Sequence, residues 1–444
     1  MKKYLRIVRR IYFQIINSIA FYPSLIALAF FMLAVGIMYI EYMDAVEDFK
    51  EKISFLLVAD KDTAKSVLTT LVASLISLTV FSFSMVMVVL NTAASNLSPR
   101  VLPGLVSKKA HQVVLGVYLG SIIYCLILII NVQKNEESYQ TPTLGVLLAM
   151  VFGIICLGLF VYFIDSISRT IQTDHVLNQI FNQTRKRLQK WTNRYSKSNS
   201  ITLPNTEGWF YIYSNQSGYF KDMARQELCK LLAKHNLEVY VRITKGFFTV
   251  KGFPLISVNR DITDDEELIE EILGHFTFFV EEYARDHYSY GFRQISEIAV
   301  KALSPGINDP GTAIRAVDML SILYIDKMGL PDFDVQLDEE DKPRLYYREY
   351  NFKELLFEML TPIRGYGHSD TLLMMNLIEA CKNMLYSPHL NDQHEKDIAE
   401  FLRAVAEDAA SKIENSLDQS SIDEALAHLP KTVGESFKGR LSGK

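Results

Sequence analysis

The chain has 444 residues, 49% of them hydrophobic and 22% charged, with a formal net charge of −5 and four cysteines. That length exceeds one ordinary domain, and a mean hydropathy of +0.09 predicts a mixed membrane and soluble protein. The acidic balance argues against a nucleic-acid partner, and the cysteines lack CxxC spacing, so neither a disulfide framework nor a metal centre or other cofactor is expected.

Residues 4–20 interleave Leu5, Val8, Ile11, Ile15 and Ile19 with Arg6, Arg9, Arg10 and Gln14, the pattern of an amphipathic helix lying in the membrane interface. Four apolar stretches follow, at residues 21–40, 64–90, 113–131 and 144–164, each about the 20 residues that a hydrocarbon core requires of a helix. The first lies far from the start and lacks a small-residue cleavage site, so it reads as an anchor and not a signal peptide.

Lys2, Lys3, Arg6, Arg9 and Arg10 precede the first span, and Arg100, Lys108 and Lys109 lie between the second and third. The first loop, residues 41–62, instead carries seven acids against three lysines. Both termini are therefore expected in the cytoplasm, with anionic lipid head groups as partners of the basic clusters.

The second span carries no charge from Ser66 to Leu90, yet it is not uniformly apolar. Steps of about 3.6 residues connect Ser66, Thr70, Ser74, Ser77, Phe81, Ser84 and Asn91, a polar stripe with one bulky interruption. Such a stripe either packs against neighbouring helices or faces water in a pore. In a pore, Phe81 is the hydrophobic constriction. Gly116 and Gly120 form a GxxxG in the third span, and Gly153 and Gly158 mark the fourth, all permitting close helix contact.

Beyond the spans, residues 166–199 read as a helix leaving the membrane, and 196–205 as a polar linker. A compact β-α-β-β unit is expected next: a strand at 208–214, a helix at 221–235, and strands at 237–243, 247–250 and 255–258. Residues 261–430 read as helical, with an acidic loop at 331–342. Glu271 and His275 are four apart, with His287 following; without a third ligand they read as a solvated helix face.

Two soluble stretches stand out: YGFRQISEIAVKALSPGINDPGTA, residues 290–313, and IRGYGHSDT, residues 363–371. In SPGINDP, Pro305 and Gly306 end one helix, with Gly306 as the left-handed cap, and Asp309 caps the next with Pro310 at its first position. Ser304 and Asn308 are left unassigned by that account. Together with FSFSMVMVVLNTAASNLSPR and HQVVLGVYLG, these motifs resemble the bacterial predicted-membrane-protein family called domain of unknown function (DUF) 2254. The resemblance runs from the first span to about residue 385. It departs at Gly218-Tyr219-Phe220-Lys221-Asp222 and at Thr244-Lys245-Gly246-Phe247.

The resemblance implies four spans and a cytoplasmic domain in a bacterial inner membrane, and it supplies no established activity. Arg293, Arg364, Tyr366 and Asp370 belong to the family-like motifs. With Ser304, Asn308 and Asp309 they are candidates to bind a small polar or anionic ligand near a helix N-terminus.

The expected fold is an α-helical multi-pass membrane protein with four transmembrane helices and a cytoplasmic α+β domain. Its divisions are an interfacial helix (1–20), a membrane domain (21–165), an exit helix and linker (166–205), the β-α-β-β unit (206–260), a helical part (261–430) and a disordered tail (431–444). No Walker loop, GxGxxG, HExxH or GxSxG occurs, so no enzyme is expected. The leading expectation is a homo-oligomeric ion channel or pore with a cytoplasmic regulatory domain. The alternative is a membrane-anchored sensor or scaffold whose soluble domain binds a partner or small ligand.

Overall fold

The computed structural model describes residues 20–41, 43, 50–96, 109–134, 142–170, 172–195, 202–279, 287–430 and 433. The expected interfacial helix and the tail from Lys431 fall outside these residues, apart from residues 20 and 433. The chain divides into two compact units, Met1–His175 and Val176–Lys444.

The first unit contains four helices long and apolar enough to cross a membrane: α1 (Phe21–Ile40), α2 (Lys61–Asn96), α3 (Lys109–Lys134) and α4 (Thr143–Thr170). The first matches the span read from the sequence, and the others extend beyond theirs by polar ends. Tyr124, Leu128, Leu68 and Val146 bring α2, α3 and α4 together in one apolar core, joined by Ala34 of α1. A second core gathers Leu75, Val114, Tyr118, Cys156 and Phe163.

The glycines of the third span are spent inside this unit. A Cβ on Gly120 would lie 2.7 Å from the Phe30 ring, and one on Gly116 would lie 3.0 Å from the Pro23 backbone. Close approach of α1 to α3 is what these glycines permit.

The second unit carries the helix that follows the last span, α5 (Thr173–Tyr195), and two small sheets. Its strands are β1 (Phe210–Tyr213), β2 (Gly218–Met223), β3 (Val239–Val241), β4 (Phe248–Thr249), β5 (Pro254–Val258), β6 (Phe276–Phe279), β7 (Phe333–Leu337) and β8 (Pro343–Arg348). One sheet has the order β1-β5-β3-β8-β7 and the other β4-β2-β6.

This arrangement corrects the self-contained β-α-β-β unit. Residues 218–223 form a strand, so the helix α6 begins at Arg225 and runs to Lys234. The acidic loop contains β7, and β8 pairs in parallel with β3 through Val239 and Leu345. The stretch from residue 261, read as helical, opens with only the short α7 (Glu266–Leu273), capped by Asp265 and followed by β6. Leu237, Val239, Ile256, Leu345 and Tyr347 share one core under α6 and α7.

The remaining helices are α8 (Tyr288–Ala302), α9 (Pro310–Met328), α10 (Phe352–Gly367), α11 (Thr371–Leu385), α12 (Asp392–Lys412) and α13 (Ser416–Ala427). Local chemistry sets their starts. Asp309 accepts from the Thr312 N–H with Pro310 at the first position, Asn351 forms a capping box with Glu354, and Asp370 accepts from the Leu373 N–H.

Candidate functional site

In the first unit, α2 turns two different faces. Ala64, Leu68, Leu75, Ser82 and Val89 are buried among the other spans. Ser66, Thr70, Ser74, Ser77, Phe81, Ser84 and Asn91 are all exposed on the outside of the four-helix unit. The Ser77 hydroxyl donates to the Ala73 carbonyl at 3.0 Å, and the Phe81 ring, 48% exposed, leans edge-on against Phe160 of α4. Among the described residues, the stripe is thus an exposed surface apart from this contact.

In the second unit, the two motif loops meet. A Cβ on Gly367 would collide with Leu373 and come within 3.4 Å of Leu303, so the end of α8 abuts the α10–α11 corner. Their polar groups serve mainly the loops themselves. Ser304 donates to the Lys301 carbonyl at 2.6 Å, Asp309 and Asp370 cap α9 and α11, and Tyr366 is exposed.

Asn308 has φ +50°, whereas Gly306 is not in the left-handed region; the left-handed cap therefore falls two residues later than expected. Arg293 reaches Glu358 at 3.8 Å, and Arg364 reaches Asp408 of α12 at 3.3 Å. The arginines are engaged by different helices.

Sequence reasoning missed a third feature, a cleft of 630 Å³ in the second unit. Arg187 and Trp191 of α5 form one wall. The other walls come from the β2–α6 junction with Lys245, from His287 and Tyr288 at the start of α8, and from Asp334 and Glu349 around the β7–β8 hairpin.

At its floor lies Glu349, 6% exposed. His287 Nδ1 accepts from the Ser289 N–H and so caps α8, with the Ser289 hydroxyl 2.6 Å from the same nitrogen. Nε2 donates to Glu349 Oε2 at 2.9 Å, and the Tyr288 hydroxyl donates to the same oxygen at 3.1 Å. His287 is therefore a buried helix cap and not part of a solvated face.

Burial acts to raise the Glu349 carboxyl, but His287, Tyr288 and the Arg225 charge outweigh it and hold the group below its ordinary value. Burial and the neighbouring carboxylate push the Tyr288 phenol well up. Glu349 is thus an anion and Tyr288 a neutral donor.

The cations around the cleft already have partners. Arg225 lies over the Tyr347 ring, bonds its hydroxyl and sits 3.5 Å from Asp334. Lys245 pairs with Asp222 at 2.7 Å, which holds the Asp222 carboxyl below its ordinary value against the opposing effect of burial.

Trp191 stacks on Tyr288 at 5.4 Å and has Lys327 over its ring. Among the described residues no three His, Cys, Asp or Glu side chains group as a metal site. The one signal in the sequence was Glu349 itself, a carboxylate set among Tyr346, Tyr347 and Tyr350.

Comparison with known proteins places the chain among relatives without a described activity. It is 22% identical over 367 residues to uncharacterized proteins of Mycobacterium bovis and Mycobacterium tuberculosis, covering 80% of this chain and 70% of theirs. No solved structure matches. The profile of the family described as "Predicted membrane protein (DUF2254)" matches residues 16–383, and the chain belongs to that family.

Proposed function

We propose that several copies of this protein assemble in a bacterial inner membrane with the α2 stripes turned toward a shared axis, forming a path for ions. The observation that carries this reading is the outward exposure of Ser66, Thr70, Ser74, Ser77, Ser84 and Asn91 along one face. Hydroxyl and amide groups facing hydrocarbon gain little, whereas they solvate ions or bind a facing copy. Phe81 is the constriction in this path. The charge pattern of the loops supports cytoplasmic termini, with the second unit as the regulatory domain and the basic segments against anionic head groups.

A second reading is a tethered platform, in which the spans only anchor the soluble unit. The Ser77–Ala73 hydrogen bond favours it, because a serine satisfied by its own helix tolerates lipid. Ion flux through purified protein in liposomes separates the two. The pore reading expects Phe81→Ala to raise flux and Ser77→Leu to lower it. Silence of the wild-type protein under every salt, pH and tension tried leaves the platform.

A further inference from the structure

We infer that the groove between α1, α2 and α3 is a binding site for one anionic phospholipid, whose acyl chain fills the groove and whose head group lies at the end where α1 and α3 begin. The inference rests on the spans crossing a bilayer and is independent of whether they conduct.

The groove has a volume of 650 Å³, with Ala20 and Pro23 at the start of α1, Val80 and Phe83 of α2 and Leu119 of α3 among its walls. Val80, Phe83 and Leu119 are left 60%, 58% and 41% exposed. The Thr79 hydroxyl, also in the lining, donates to the Leu75 carbonyl of its own helix at 2.7 Å and so makes no polar demand. An empty groove forfeits the dispersion contacts of its walls, and on a membrane-spanning surface the medium that supplies them is lipid hydrocarbon.

Charge sets the head group. Gly116 of α3 meets Pro23 of α1 and Gly120 meets Phe30, so the two helices run in the same direction and begin at the same end. Residues 1–20 and 97–109, which lead into these helices, carry basic residues and no acid. Lys109 itself is exposed, its ammonium 5.6 Å from the centre of the Tyr22 ring, one residue before Pro23. Such an end attracts an anionic head group more strongly than a zwitterionic one.

A buried amide supplies a second, independent observation. Gln112 is 4% exposed, and its side-chain oxygen has no hydrogen-bond partner. It stands on the same side of α3 as Leu119, two turns nearer the basic end. The glycerol region of a phospholipid seated in the groove brings ester and hydroxyl oxygens to that depth, and either end of an amide can be turned to meet them.

The test titrates the full chain in detergent with phosphatidylglycerol and, separately, with phosphatidylcholine of the same acyl chains, counting bound lipids by native mass spectrometry. One phosphatidylglycerol per chain should bind first, about fivefold or more tighter than phosphatidylcholine. Val80→Trp places a ring in the groove from an exposed position and should abolish this first binding, whereas Ile154→Trp, at a position 70% exposed on α4, should leave it intact. Lys109→Glu should weaken it about fivefold or more.

Equal affinity for the two lipids overturns the inference, as does binding unchanged by Val80→Trp. The occupant is identified by irradiating Phe83→p-benzoylphenylalanine in membranes. A lipid adduct is expected there, and a cross-link to a second copy or to residues 1–19 in its place overturns the inference.

Discussion

The Glu41 carboxylate sits 3.2 Å from the backbone N–H of Gly145, more than a hundred residues away, and so caps the N-terminus of α4 from the end of α1. It also accepts from the Leu144 N–H at 3.1 Å and pairs with Lys50 at 2.7 Å. A helix start within an apolar bundle leaves orphan donors, and this side chain, fully buried, satisfies two of them. Glu41→Ala should lower stability by roughly 1 to 3 kcal/mol and Glu41→Gln by less, read as melting temperature in detergent.

The glycines of the membrane unit should separate by what their missing Cβ would meet. Gly120→Ala forces contact with Phe30 and should cost about 1 to 3 kcal/mol, whereas Gly158, with nothing within 4 Å, should accept Ala without loss. Thermal unfolding of both variants checks this.

The stripe predicts where copies meet. All four cysteines of the chain are buried, so thiol reactivity introduced at the surface has little background. Ser74→Cys should form disulfide-linked dimers under mild oxidation in membranes, while Leu75→Cys, 2% exposed among the other spans, should not. Non-reducing electrophoresis reads the outcome.

Helix α5 meets α8 where Gly291 faces Thr184, and a Cβ on Gly291 has no room beside that threonine. Gly291→Ala should therefore destabilise the second unit by about 1 to 3 kcal/mol. Thr184→Ala removes the clashing hydroxyl and methyl, so the double variant should recover part of the loss, measured as a double-mutant cycle.

Glu349 makes the acid limb of stability predictable. Its carboxyl is held below the ordinary 4.5 in the folded protein. Its contribution is therefore present above the unfolded value and disappears as pH falls through the folded one. Glu349→Gln should flatten that limb and cost roughly 1 to 3 kcal/mol at neutral pH, followed by unfolding across pH 7 to 3.

The four spans were legible because length and apolarity are local properties, as were the starts of α9, α10, α11 and α12, where Asp309, Asn351, Asp370 and Asn391 cap their own helices. Strands β2 and β6 were not, because each is stabilised by the other from more than fifty residues away. In β8 the buried run Leu345, Tyr346, Tyr347 lacks the alternation that distinguishes a strand from a helix. The stripe could be read from spacing, but its outward direction depends on the packing of three other helices. The cleft had no spacing to read, since Trp191, Asp222, His287 and Glu349 come from four separate segments.

The parallel pairing of β3 with β8 orders events during synthesis. Val239 leaves the ribosome about a hundred residues before Leu345, and until then one edge of β3 has no neighbour. The nascent chain must hold an apolar, half-built sheet in solution over that interval, and a fragment ended before residue 343 would keep it open permanently. Aggregation of such truncations, set against a monodisperse full-length chain in detergent, is the cost of closing a sheet with its last strands.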